Sequence, residues 1–398
     1  MIRLGTLENM QADYSECCPT VIMNFWVVAE NELCLRELAK VTVPFVFNTR
    51  SDRAYRGLFD TTDYERVGAY FEGIAETPLR SLSNLATELG LGALLVKDES
   101  DRAGLPAFKV LGASYAMGQL METGVLRPGM VVACASSGNH GRAVARVARE
   151  HDIRAIVYLP AETIAARVEA IRSEGASVIT IAGSYEDAVR QLQRDATRSG
   201  WTIISDTSWP GYEEIPRWIM AGYSRLLAET ESQLSGLCPD VVLVQAGVGG
   251  LAGGLGSWLS WRYGPQRPFF IACISAAAPC LLDSIRAGRP MISRAGVTRM
   301  TGLLCQELSY VAWPALSATI DAVVMVEDQQ TTEAARLLAH PAGNDPLVQA
   351  GPSGACGLGA LLSILREDPL APVARAARLG RHCRVLLLVT EGMTDPTF

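Results

Sequence analysis

The chain runs to 398 residues, 49% hydrophobic and 19% charged, with 35 basic against 42 acidic side chains and a formal net charge of −7. That length supplies one large or two medium domains around a sizeable core. The acidic balance, with no basic run, argues against nucleic acid, whose phosphates need clustered Lys and Arg, and against an anionic membrane surface as partner.

No basic segment leads into a long apolar one at the N-terminus, so no signal peptide is expected. Residues 1–45 follow no readable pattern and are set apart as an N-terminal extension. From Thr77-Pro78-Leu79 onward, short β-branched runs alternate with helical patterns. Leu94–Val96 reads as a strand and Lys109–Glu122 as a helix. Val131–Cys134 reads as a strand, followed by a turn at Ser136-Ser137-Gly138-Asn139 and a helix over Arg142–Glu150. Ala155–Tyr158 and Ala161–Glu174 form the next strand and helix. Ser177–Ile181, Thr202–Ser205, Val241–Gln245, Phe269–Ile274 and Arg384–Val389 continue the strand series. Near-continuous apolar strands separated by amphipathic helices imply parallel sheets covered on both faces. We expect two α/β domains with mostly parallel sheets and the ligand in the cleft between them, at the strands' carboxyl ends.

Two features invite other readings. Val241–Trp261 carries no charge and has a bilayer's length, but its six glycines and a Gln predict a strand, a glycine loop and a helix. The ten cysteines, apart from Cys17-Cys18, are scattered with no C-x-x-C pair and no His at zinc-site spacing. No metal site is expected from them. Those in apolar runs, such as Cys134, Cys273 and Cys356, read as buried thiols of a reducing, cytoplasmic setting.

Four motifs carry chemistry. Lys97-Asp98-Glu99-Ser100 leads to Phe108-Lys109 at a helix start. A lysine that forms a Schiff base must be partly desolvated and rigidly placed. Ser136-Ser137-Gly138-Asn139-His140-Gly141 links a buried strand to a helix, where small residues let backbone N–H groups approach an anion. Gly247-Val248-Gly249-Gly250-Leu251-Ala252 follows a strand directly and suits a phosphate cradle. A dinucleotide would also need an acid after the next strand, where the chain has Ser275-Ala276-Ala277-Ala278, so a single phosphate monoester fits better. Lastly, Arg384–Val389 ends in Thr390-Glu391-Gly392. A hydroxyl there bonds a pyridine nitrogen without protonating it, giving a weaker electron sink suited to β-elimination rather than transamination.

In this order the motifs resemble the tryptophan-synthase-β-like, fold-type II pyridoxal-phosphate enzymes, and more closely the diaminopropionate ammonia-lyase family. The matching stretches include Val96–Ser100, Ala107–Gly112, Gly138–Arg142, Asp206–Trp209, Ile215–Tyr223, Gln245–Gly249, Ser353–Gly359 and Thr390–Asp395. The resemblance implies a homodimer that binds pyridoxal 5'-phosphate and converts 2,3-diaminopropionate to pyruvate and ammonia. It implies a large cofactor-binding domain of residues 46–112 and 225–398, and a small domain of residues 113–224. Lys109 would hold the cofactor and take the Cα proton, while Asp206 would hold a β-ammonium group or assist proton transfer. Asn139 would contact the cofactor's 3-oxygen, Gly247, Val248, Gly249, Gly250 and Leu251 its phosphate, and Thr390 its pyridine nitrogen. Ser136, Ser137, Gly138, His140, Asp206 and Tyr212 would line the substrate pocket.

The chain departs from the family pattern at three places. Ser137 stands where the family has an aspartate tied to proton abstraction from the D-isomer, so the L-isomer is expected to be favoured. Ser275-Ala276 replaces Glu-Pro, and Leu304-Cys305-Gln306-Glu307-Leu308 replaces Ala-Cys-Gly-Glu-Pro. These changes leave open β-elimination or β-replacement on another β-substituted amino acid in a specialised biosynthetic pathway. A non-catalytic binding protein is disfavoured, because Lys109, Asn139, the glycine loop and Thr390 all remain. A nucleotide-dependent oxidoreductase rests only on the imperfect glycine fingerprint.

Overall fold

Two parallel-rich sheets organise the chain, with central strands whose side chains are buried on both faces. The computed structural model describes residues 44–393, so the expectation for residues 1–45 falls almost wholly outside it. The larger sheet takes β1 (Phe45–Phe47), β2 (Leu79–Ser81), β3 (Ala93–Asp98), β8 (Val241–Gln245), β9 (Phe269–Ser275), β10 (Ala322–Val326) and β11 (Arg384–Val389). Their order is β1-β10-β9-β8-β11-β3-β2. The smaller sheet has the order β6-β5-β4-β7, from β4 (Val131–Ala135), β5 (Arg154–Pro160), β6 (Ser177–Ile181) and β7 (Thr202–Ile203). Every pairing is parallel except those of the two three-residue edge strands, β1 on β10 and β2 on β3. Short edge strands limit unwanted pairing with other chains.

All five residues of β8 (VVLVQ) and of β4 (VVACA) are buried, as expected for central strands with helices over both faces. The uncharged run after Val241 resolves into β8, a glycine turn and the helix Gly250–Tyr263. Among the described residues no helix is long and apolar enough to cross a membrane. Helix Lys109–Glu122 begins and ends where its sequence pattern does. The helix expected over Ala161–Glu174 is shorter, Ala165–Arg172, because residues 161–163 turn back through Ala161 N–H to Ile181 O and Thr163 N–H to Pro160 O. The strand expected over Thr202–Ser205 stops at Ile203. Beyond it the Ser205 N–H donates to the Tyr212 hydroxyl instead of to a neighbouring strand.

Helix Lys109–Glu122 packs on helix Glu214–Tyr223 at backbone contact. A Cβ on Gly112 would stand 2.9 Å from Ile219 O, and one on Gly222 2.8 Å from Leu111 O. Any side chain at either position would force the helices apart, and Lys109 would move with them.

A buried ionic cluster fixes the other approach to Lys109. Lys97 Nζ donates to Glu229 Oε2 (2.7 Å) and to Thr77 O (2.8 Å). Arg102 makes a two-pronged contact with Glu229, 2.8 Å to each oxygen, and reaches Glu99 through Nε (2.9 Å) and Nη2 (2.6 Å). The cluster ties β3 and the turn after it to helix Arg225–Gln233. Removing one partner of such a set leaves charge buried and unmatched, at about 3–5 kcal/mol.

Burial alone would raise the Glu229 pKa, but the Arg102 and Lys97 donors overcome it and hold it at about 2, below the ordinary 4.5. The carboxylate therefore stabilises the fold above pH 4.5, and that contribution disappears as pH falls toward 2. Glu229→Gln is expected to lose about 3–5 kcal/mol in urea unfolding at neutral pH. Between pH 4.5 and 2 the variant should lose less further stability than the parent; equal acid sensitivity would remove Glu229 as the cause.

Candidate active site

Lys109 opens its helix at the carboxyl ends of β3 and β11. Three backbone contacts set its position: Phe108 N–H to Thr390 O at 3.3 Å, Gly392 N–H to Pro106 O at 2.9 Å, and a bridge between Ala107 and Glu391. Its Nζ lies 2.7 Å from Asp206 Oδ2, and 5.1 and 5.7 Å from the ring centres of Phe108 and Tyr223. Both aromatic faces attract a cation. The Lys109 and Asp206 side chains retain 24% and 20% exposure, so the pair forms the floor of a reachable cleft.

Burial would lower the Lys109 pKa, but the Asp206 carboxylate outweighs it and holds the ammonium above its ordinary value. Burial likewise pushes Asp206 up, and the His140 ring with the Lys109 ammonium reverses this and holds it below the usual carboxylate range. His140 is buried. Its Nε2 faces Ile204 O at 2.9 Å and its Nδ1 stands 3.9 Å from Asp206 Oδ2. Tyr212 supports the same turn from below. Its hydroxyl accepts from Ser205 N–H (2.8 Å) and donates to Ile203 O (2.9 Å), and its ring stacks on Trp209 at 4.3 Å.

From the smaller sheet, β4 ends in the half-buried Ser136 and Ser137, then Gly138, and Asn139 begins the helix Asn139–Glu150. Asn139 Nδ2 donates to Glu391 Oε2 at 2.6 Å, beside the buried Thr390 at the end of β11.

The glycine loop closes the fourth side. Gly249 has φ +92°, and a Cβ there would meet Leu316 Cδ1 at 2.5 Å, so only glycine fits. A Cβ on Gly247 would sit 3.1 Å from both Cys305 Sγ and Gly302 O. The position of a Cβ on Gly250 lies 3.8 Å from Asp206 O, which brings the loop against the Asp206 turn. Among the described residues, none accepts from the backbone N–H of Gly249, Gly250, Leu251 or Ala252. Helix Gly250–Tyr263 also has no side-chain cap. Unused donors at a helix N-terminus, beside the tightly packed Gly247 and Gly249, suit a phosphate group.

The structure thus gathers Lys109, Asp206, His140, Asn139, Thr390 and the Gly247–Leu251 loop around one cleft. It adds residues that the motifs did not single out. Tyr223 backs the lysine, Glu391 holds Asn139, and Cys305 faces Gly247 with its thiol pushed by burial to about 12. Thr390-Glu391 and Tyr223 lie inside stretches already read for other reasons, but nothing in their spacing shows what they touch. An amine, a glycine-lined phosphate cradle, a side-chain amide and a hydroxyl are the groups that pyridoxal phosphate requires.

Comparison with known proteins agrees. The profile of the family described as pyridoxal-phosphate dependent enzymes matches residues 70–379. Diaminopropionate ammonia-lyase of Escherichia coli K12 is 36% identical over 346 residues, covering 81% of this chain and 86% of that protein. The Salmonella typhimurium LT2 enzyme of the same name is 35% identical over 387 residues, covering 89% and 96%. The chain belongs to the diaminopropionate ammonia-lyase family of pyridoxal-phosphate dependent enzymes.

The crystal structure of the E. coli ammonia-lyase in complex with an aminoacrylate–pyridoxal-phosphate azomethine intermediate superposes with a TM-score of 0.82 at 34% identity. It covers 89% of this chain and 94% of that one. The fold-type II architecture and the pyridoxal phosphate cofactor follow from that membership. For this ammonia-lyase family member, Gly247→Ala is expected to overpack the phosphate cradle by about 1–3 kcal/mol. Fluorescence titration of the apoprotein should then show the pyridoxal phosphate dissociation constant rising by about tenfold or more; an unchanged constant would place the phosphate elsewhere.

Proposed function

We propose that the chain eliminates ammonia from the L-isomer of 2,3-diaminopropionate, releasing pyruvate and ammonia. The observation that carries this reading is the 2.7 Å contact between Lys109 and Asp206, which puts an amine and a carboxylate at one cleft floor beside the glycine cradle. When bound, pyridoxal phosphate supplies the electron sink that acidifies the substrate's Cα–H.

The protein's groups divide the remaining work. Lys109 Nζ would hold the cofactor and, once substrate takes its place, would accept the Cα proton. Asp206 is held ionised, so it acts as an acceptor that orients the β-ammonium group rather than as an acid. That group already carries three protons and leaves as neutral ammonia when the Cβ–N bond breaks toward nitrogen. Asn139 would contact the cofactor's 3-oxygen, residues 247–251 its phosphate, and Thr390 its pyridine nitrogen. Ser136, Ser137, Gly138, His140 and Tyr212 form the pocket wall. Ser137 is a poor base, which leaves proton removal to Lys109 and favours the L-isomer.

We further read the chain as a cytoplasmic homodimer with no nucleic-acid or membrane partner, in keeping with the seven unpaired cysteines among the described residues. We also read a large domain of residues 46–112 with 225–398 and a small domain of residues 113–224, a division that the separate sheets support although its first boundary falls inside helix Lys109–Glu122. A second reading is elimination or replacement on another β-substituted amino acid, favoured by the altered Ser137 and Ser275.

Pyruvate formation from each diaminopropionate isomer, serine and O-acylserine decides between them, with analytical ultracentrifugation reporting the oligomer. L-Diaminopropionate should be the best substrate, and Lys109→Ala should abolish turnover. Asp206→Asn should lower kcat/KM by about 10²–10⁴-fold while the cofactor remains bound. A better rate with O-acylserine would favour the second reading, and equal rates with D- and L-isomers would end the argument from Ser137.

A further inference from the structure

Glu391 is a buried carboxyl, 7% exposed, that the steps above leave without a task. Its Oε2 accepts from Asn139 Nδ2 at 2.6 Å and its Oε1 from Ser353 N–H at 3.2 Å. Ser353 in turn accepts from Gly302 N–H through its hydroxyl at 3.2 Å. A buried acid that serves only stability is ordinarily matched by a cation, yet among the described residues Glu391 forms no ion pair. Arg167, bonded to Thr301 Oγ1 at 2.8 Å, lowers the Glu391 pKa only through its field. Burial raises the Glu391 pKa, in line with a carboxyl kept away from compensation.

Its position is as informative as its burial. The Glu391 backbone bridges Ala107, two residues before Lys109, and the preceding residue is Thr390. A carboxylate only accepts hydrogen bonds, so the amide facing it must present nitrogen. Asn139 is thereby fixed with Nδ2 toward Glu391 and its other N–H left for the cleft.

We propose that Glu391 is a positioning residue for the cofactor's 3-oxygen, acting by locking the Asn139 amide in its donor orientation and by placing a fixed negative charge behind it. This rests on the placement of Asn139 given above. An anion behind the site favours the protonated form of a nearby titrating group. The bound chromophore should therefore keep its proton to higher pH with Glu391 present, against the common background of Lys109, Asp206, His140 and Cys305.

The test is a double-mutant cycle on pyridoxal phosphate binding to the full-length apoprotein, with the absorbance of each reconstituted protein followed against pH. Asn139→Ala and Glu391→Gln are each expected to raise the dissociation constant about tenfold, the order of one charge-assisted hydrogen bond. The double variant should be no weaker than Asn139→Ala alone. Glu391→Gln should also move the absorbance midpoint to lower pH. Full additivity of the two substitutions, or an unmoved constant and midpoint in Glu391→Gln, would overturn the proposal while leaving the Asn139 placement intact. An Asn139→Ala protein that binds the cofactor normally would sink that placement and this inference with it, whereas pyruvate release tests the reaction separately. If the Gln variant does not fold, Glu391→Asp takes its place in the cycle: it shortens the reach to Asn139 and should raise the constant non-additively, and additivity there would equally overturn the proposal.

Discussion

The contact between Lys109 and Asp206 is the constraint around which the site is arranged. It is poorly suited to stabilising the fold. Lys109 is the first residue of its helix and has no side-chain cap beside it, so its positive charge opposes the helix dipole. Both groups are also partly withdrawn from water, where an ion pair seldom recovers its desolvation cost. What the arrangement provides is an amine whose proton has a defined acceptor 2.7 Å away. The carboxylate comes from the smaller sheet's side and the amine from the turn pinned to β11, so the chemistry exists only when both sheets are in place.

That dependence explains where the chain spends its tightest packing. Gly112 and Gly222 bring the lysine's helix and the helix after Asp206 to backbone contact, where a Cβ at either position would already clash. The Glu229 cluster fixes the opposite approach, from β3 through the turn that ends at Phe108. Gly249, forced into the left-handed region against Leu316, fixes the phosphate loop. Each device limits motion along a different direction into the same cleft. Catalytic placement rather than global stability accounts for their convergence, since a displacement of about 1 Å in such a site costs on the order of a hundredfold in rate.

The fold was legible where burial is uniform. β8, β11 and helix Lys109–Glu122 start and stop where their apolar patterns do, because near-continuous burial leaves an unbroken signal. β1 and β2, three residues each, are too short to carry a period, and their role as antiparallel edges depends on partners distant in sequence. The site divides in the same way. The glycine loop and the strand-end threonine can be read locally, since strand-to-helix turns announce themselves. The partner of Asn139 lies 252 positions away, and Tyr223 earns its place only because two glycines let its helix approach Lys109. Such pairings are made by the fold, and Asp206 itself drew attention through resemblance to a family rather than through its spacing.

The departures from the family pattern fall around this constraint without touching it. Ser275 closes its own turn, its Oγ accepting from Ala277 N–H at 3.3 Å. Gln306, where the family has glycine, reaches across to Glu186 at 3.3 Å and joins the segment over the phosphate loop to the helix beginning at Tyr185. Ser137 changes the wall beside Asn139 and leaves the Asn139–Glu391 contact formed. These departures leave the Lys109–Asp206 and Asn139–Glu391 contacts formed. On the proposed placement, the amine, the amide and the glycine loop answer to the cofactor, whose dimensions do not vary, and their geometry leaves no comparable freedom.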